Sequence, residues 1–181
     1  VMREEDSGVF EIANEDTSEG NFAAYFDRLR ALAVNSGRPV AWGIGSNRKE
    51  PGRHLPWLAE VARTAAEGGR MIPMVHSRTF SVMLSFATRL PFDTLPVWRE
   101  LRAKPLEAQA AALRDPELRK RMIEAAKHGP YPHAIGAEAR KPDWEWVWFV
   151  DSPLPPYRLI AQIAASRGVE PEQAFLDLAL E

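Results

Sequence analysis

The chain contains no cysteine, which excludes disulfides and thiolate metal sites. It lacks any apolar run near the roughly 18 residues of a membrane span, so no membrane association is expected. Nothing at Val1 resembles a signal peptide or a long leader, and a cytoplasmic location is the expectation. A strong charge of one sign is missing too: the formal net charge is −2 and the pI is near 6.1. Such a chain has no long-range attraction to phosphate backbones, and no nucleic acid partner is expected. The cluster Arg114, Arg119, Lys120 and Arg121 lies among acids and reads as a solvated helix face. No GxGxxG or GKS/GKT ending cradles a phosphate, and no GxSxG elbow presents a serine nucleophile. The four histidines, His54, His76, His128 and His133, form neither HxH nor HExxH, so no metal site and no cofactor are expected within this chain.

What is present suits a globular protein. The 181 residues are 45% hydrophobic and 27% charged, enough for one domain with a buried core. The 15 prolines concentrate after Leu90, which makes the back half loopier than the front. Gly8 to Ile12 reads as a strand followed by a polar loop holding the acids Glu15 and Asp16. From Asn21 the period becomes helical, with Phe22, Tyr25, Phe26, Leu29, Leu32 and Ala33 on one face, Ser18 as N-cap and Gly37 as stop. Arg38 to Ile44 is a second strand, followed by a plain loop to Arg53. Leu55 to Glu67 is a helix with Leu55, Leu58, Val61, Ala62 and Ala65 as its apolar face, Pro56 in its first turn and Gly68-Gly69 at its end. Arg70 to Val75 is a third strand, whose nearly continuous apolar run suggests burial on both faces. Pro73 weakens that strand by removing one ladder donor.

Strand and helix thus alternate without hairpin signals, the signature of parallel βα units. In such units the carboxyl ends of the strands are where ligands bind. His76, Ser77 and Arg78 follow the third strand there, and these three are the candidate substrate-binding residues; no catalytic residue is assigned. The run Thr79 to Thr88 is apolar enough to cap that site or pack beneath it. Beyond Pro91, helices are expected over Trp98 to Arg102, Pro105 to Leu113 and Asp115 to Lys127, the last capped by Asp115 with Pro116 at its first position. His128 to Pro142 is a loop, Trp144 to Val150 a strand with period-two tryptophans, and Ile160 to Ser166 and Glu170 to Leu180 the closing helices. The chain is read as residues 1–92, parallel βα units, and residues 93–181, a helical and loop-rich excursion of the same domain.

Several of these segments fall into one series. Met74 to Thr79, Leu90-Pro91-Phe92, Pro96-Val97-Trp98-Arg99-Glu100-Leu101, Leu113 to Arg119 and Gly168-Val169-Glu170-Pro171 resemble, in order, motifs of the amidohydrolase-superfamily N-acyl-D-amino-acid deacylases, the D-aminoacylase-like branch. The resemblance covers essentially the whole chain. It implies about three of the eight units of a metal-assisted TIM barrel, followed by the excursion before the last strand. It also implies a parent that hydrolyses the C–N amide bond of N-acyl-D-amino acids with zinc or another divalent metal, of which this chain alone is incomplete and inactive. The family's strand motifs that carry histidine are replaced here by Glu11-Ile12-Ala13-Asn14 and Trp42-Gly43-Ile44-Gly45, which implies a reduced metal site or a different chemistry. The family's "GRP" arginine maps onto Arg78. The substrate implied is a small N-acyl amino acid, and the isolated chain is expected to self-associate through two unpaired sheet edges and the apolar faces that neighbouring units would have covered. The other reading is a non-catalytic α/β binding or assembly module.

Overall fold

Short apolar runs alternating with helical periods yield β1 (Phe10–Ile12), α1 (Phe22–Ser36), β2 (Val40–Gly43), α2 (Leu55–Ala66) and β3 (Met71–Met74). The computed structural model describes residues 2, 4–15, 17, 20–46, 50–132 and 139–181. The protein is mixed α/β, with seven α-helices and one three-stranded parallel sheet among the described residues. Two compact units divide it, Val1–Ser81 and Val82–Glu181.

In the first unit the sheet order is β1-β2-β3, with Phe10 opposite Val40 and Val40 opposite Met71. Alternation along a strand then assigns the faces. Phe10, Ile12, Val40, Trp42 and Met71 share one face, and all five belong to a core with Tyr25, Phe26, Leu29 and Ala33 of α1 and Trp57 and Val61 of α2. Both helices therefore cover the same face of the sheet. Phe26 and Trp42, fully buried, meet edge to face at 5.3 Å, and Trp57 lies 5.7 Å from Trp42. Burial of such side chains stabilises by about 1.5–3 kcal/mol each. The other face carries Glu11, Ala41, Gly43, Ile72 and Met74; neither helix joins it, and its exposure runs from Ala41, buried, to Met74, 42% exposed.

Three expectations for this unit need correction. The apolar run of β3 is not buried on both faces; only Met71 is buried, and Val75 is 71% exposed. The packing face of α2 is not Leu55, Leu58, Val61, Ala62 and Ala65 but Trp57, Glu60, Val61 and Thr64. Thr64 is fully buried, and Glu60 accepts from the buried Arg30 at 2.9 Å. The tryptophan and this ion pair outweigh the leucines, leaving Leu55 and Leu58 exposed. The third correction concerns the N-cap of α1, which is Asn21 with no side-chain capping bond; the expected cap, Ser18, lies outside the described residues. The C-terminal stop is as read: Gly37 adopts φ 66° and its N–H donates to the Ala33 carbonyl at 3.1 Å.

Pro73 is tolerated in β3 for a geometric reason. Val40 N donates to Arg70 O at 2.9 Å and Ile44 N to Met74 O at 2.8 Å, so the even-numbered residues of β3 bond to β2. Pro73 therefore turns toward the outer edge, where its missing donor breaks no bond within the sheet.

The second unit contains α3 (Pro96–Arg102), α4 (Leu106–Ala112), α5 (Pro116–His128), β4 (Trp148–Phe149), β5 (Arg158–Leu159), α6 (Ile160–Arg167) and α7 (Pro171–Leu178). Its main core joins Leu90, Phe92, Leu95, Trp98, Leu101, Leu113, Met122, Ala126 and Leu176. Leu90 and Phe92, placed by the sequence reading at the end of the first segment, thus pack in the second unit. The Asp115 cap of α5 is present, its Oδ1 accepting from Glu117 N at 2.9 Å. The single strand expected over Trp144 to Val150 is instead a 3-10 turn, Trp144–Trp146, followed by two residues of β4 paired antiparallel with β5. Trp144 turns inward, where its Nε1 donates to the buried Glu172 at 3.0 Å, and this breaks the alternation. Arg119 leaves the solvated face foreseen for it and pairs with Asp177 of α7, its side chain 13% exposed.

Candidate functional site

The carboxyl ends of the three strands carry the polar residues that the sequence singles out. After β1, Asn14 is used structurally: its Nδ2 donates to Gly43 O at 2.6 Å, and Tyr25 Oη donates to its Oδ1 at 3.5 Å. Glu15 pairs with Arg28 at 2.5 Å. Burial first and the nearby Glu15 carboxylate second push the Tyr25 hydroxyl pKa up. These contacts lace β1 to β2 and α1 and engage Glu15. Asp16 lies outside the described residues.

After β3 the chain behaves differently. His76, Ser77 and Arg78 are all exposed, and His76 stacks on Phe80 with ring centroids 5.8 Å apart. Among the described residues Ser77 and Arg78 make no hydrogen bond or ion pair, so the Arg78 guanidinium is available. The acids that might have neutralised it are engaged elsewhere or distant in role: Glu15 holds Arg28, and Asp93 holds Arg102 at 2.9 Å. Glu11 stands on the sheet face away from the two helices, exposed and without a partner among the described residues. The run Thr79 to Thr88 neither caps this end nor packs beneath it as a whole, because Phe80 is 72% and Met83 79% exposed; Phe86 is the one aromatic of the run that joins a core, in the second unit.

The other histidines do not converge on these residues. His54 is the N-cap residue of α2, its Nδ1 buried without a hydrogen-bond partner, and His128 is exposed at 3.8 Å from Glu124. His133 lies outside the described residues. No group of three histidines or acids that could hold a metal is found among the described residues, and no described helix is long and apolar enough to cross a membrane. A shallow hollow lined by Arg28, Ala31, Leu32, Asn35 and Ser36 is open and built from α1 alone.

Reading by composition missed the arginines that hold each unit together. Arg30 is 8% exposed and bonds Asp27, Glu60 and Glu67. Arg102 bonds Asp93, Gln109 and two backbone carbonyls. A signal for Arg30 existed, since it interrupts the apolar face of α1 with Asp27 three residues before it. For Arg102 there was none. No family model matches the chain, and neither a curated protein nor a solved structure matches it.

Proposed function

We propose that this chain forms part of a singly wound β/α barrel hydrolase of the amidohydrolase type, with Arg78 receiving the carboxylate of an N-acyl amino acid. The observation that carries this reading is the sheet order β1-β2-β3 with both helices on one face. A doubly wound sheet reverses its order and covers both faces, whereas a barrel keeps its helices outside and its second strand face inside. The exposed stripe Leu55, Leu58, Ala62 and Ala65 on α2 supports it, as the side against which a further helix would pack. In that frame His76, Ser77 and Arg78 stand at the barrel mouth. A guanidinium grips a carboxylate with two parallel hydrogen bonds, and His76 and Ser77 supply further donors beside it.

The residues present do not fit the divalent metal of such enzymes. At the two strand ends where the resembling family carries histidines, Gly43 has no side chain, and Asn14 spends its amide on the Gly43 carbonyl. The proposal therefore assigns this chain substrate binding and routes no chemical step through it. One observation favours the alternative of a non-catalytic α/β module: Pro73 faces the outer edge of β3, where a neighbouring strand would lose a ladder bond.

The test is NMR titration of the 181-residue chain with an N-acetyl-D-amino acid and with its carboxamide, alongside Arg78→Gln. Binding in the millimolar range is expected, centred on residues 75–79 and weaker with the carboxamide by about the same factor as with Arg78→Gln. Because Arg78 is exposed, the substitution should weaken binding about five-fold or less. Equal binding of acid and carboxamide would refute the carboxylate role. Amide hydrolysis is expected to be absent with or without added zinc, and turnover by this chain would overturn the assignment of binding alone.

A further inference from the structure

We infer that residues 75–84 form an endoprotease-sensitive joint, at which a single hydrolysis separates two units that each stay folded. The inference stands apart from the carboxylate-binding reading, since it concerns the backbone of this stretch. Val75 to Leu84 lies outside every helix and strand, and every residue of it except Leu84 is exposed. Among the described residues none of this stretch makes a hydrogen bond, through backbone or side chain, and the stacking of His76 on Phe80 is internal to it.

An endoprotease holds its substrate as an extended strand by main-chain hydrogen bonds, so a bond inside a helix or sheet must open before it is cut. Here nothing has to open. The stretch contains no proline, so each residue offers the protease both a donor and an acceptor. Arg78 supplies the cation that a trypsin-type specificity pocket takes, and Phe80 the aromatic ring that a chymotrypsin-type pocket takes. A second exposed stretch, residues 150–156, is a poorer substrate: Pro153, Pro155 and Pro156 lack the donor, Asp151 holds Arg158, and Ser152 accepts from Leu154 N. Cleavage after Arg78 adds one water across the Arg78–Thr79 peptide bond. The C–N bond breaks, the Arg78 carbonyl carbon gains the hydroxyl and the Thr79 nitrogen the hydrogen, and the new carboxyl group passes its proton to the new amine.

What survives the cut is set by the cores. The first unit's core runs from Phe10 to Met71, with Phe26 and Trp42 fully buried in it. The second unit's cores draw on residues 86–180, with Leu95 and Trp98 at their centre. Among the described residues neither unit takes a core side chain from residues 75–84, so the cut removes none from either. The division between the units, after Ser81, falls inside the same stretch, as domain boundaries fall in exposed segments that few contacts cross. Both products lie within the ~50–200 residues of domains that fold alone.

Brief digestion of the full chain by trypsin and, separately, by chymotrypsin, read by mass spectrometry, tests this. Trypsin should give residues 1–78 and 79–181, and chymotrypsin a pair divided within residues 80–84. Arg78→Gln should remove the tryptic pair and spare the chymotryptic one. The Arg78 bond should be cut within about thirty-fold of its rate in a synthetic peptide of residues 73–86, and the ratio of the two rates should stay flat in urea below the unfolding transition, because no opening precedes cleavage. Each fragment, once separated, should keep its circular dichroism and unfold cooperatively in urea. A slower cut than that, or a ratio that climbs with low urea, would overturn the inference by showing that the segment is held shut. Fragments that are unfolded after separation would overturn it as well, because the units would then depend on one another.

Discussion

Removal of the Arg102 guanidinium should unfold the second unit preferentially. Its Nε donates to Asp93 Oδ1 at 2.9 Å, one terminal nitrogen to Gln109 Oε1 at 2.8 Å and to the Phe86 carbonyl, and the other to the Thr88 carbonyl at 3.1 Å. The group also sits 5.6 Å from the Phe86 ring centroid, with its side chain 10% exposed. One residue thus ties the loop of residues 86–93 to α3 and α4. Breaking a buried pair costs about 3–5 kcal/mol when the surviving charge stays dry. Asp93, with its side chain 30% exposed and Leu90 N still donating to it at 3.0 Å, can recruit water. The expected loss for Arg102→Ala is therefore about 2–3 kcal/mol. Arg102→Lys keeps the charge, but one ammonium cannot span four acceptors, and about 1–2 kcal/mol should be lost. Hydrogen exchange read by mass spectrometry in graded urea reports the protection of α3 to α5 separately from that of α1 and α2. The exposed Arg99, which donates to the Thr94 carbonyl at 2.9 Å, serves as a control whose alanine variant should cost under about 0.5 kcal/mol. If Arg102→Ala behaves like Arg99→Ala, the guanidinium is not the tie described.

Burial first and the Glu172 carboxylate second push the Tyr131 hydroxyl pKa upward, so the folded state keeps this proton where the unfolded chain releases it. The resulting stabilisation is complete below about pH 10 and is lost above it as the unfolded state ionises, at up to about 1.4 kcal/mol per pH unit. Urea midpoints between about pH 9 and 11 should fall with a slope that Tyr131→Phe reduces, and an unchanged slope would refute the assignment. A methyl group at Gly69 would lie 2.8 Å from Thr64 Cγ2 and 2.9 Å from Val34 Cγ2, where α1, α2 and β3 meet. Gly69→Ala should cost about 1–3 kcal/mol in thermal or urea unfolding of the first unit; a neutral result would show that the helices separate easily there.

The candidate site was legible as a position and not as an environment. Placement of His76, Ser77 and Arg78 at the carboxyl end of β3 follows from an apolar run and its polar successor, both local signals. Their exposure did not follow, because Val75, Phe80 and Met83 are apolar in sequence whether or not anything covers them. Periodicity likewise finds α2 but not its orientation. Two apolar stripes compete along that helix, and the winner was chosen by Glu60 meeting Arg30 and by Trp57 meeting Phe26 and Trp42, contacts made across elements.

By itself the sequence determined the alternation of strand and helix, the stops at Gly37 and Gly68 and the Asp115 cap, since each depends on residues within one or two turns of each other. The tertiary structure decided which sheet face the helices cover, that Pro73 lies on an outer edge, and that Arg30, Arg102 and Arg119 are internal ties. Those outcomes depend on partners such as Glu60 for Arg30 and Asp177 for Arg119, which are 30 and 58 residues away along the chain. At that separation no local pattern marks the pair, and only the packed core brings donor and acceptor together.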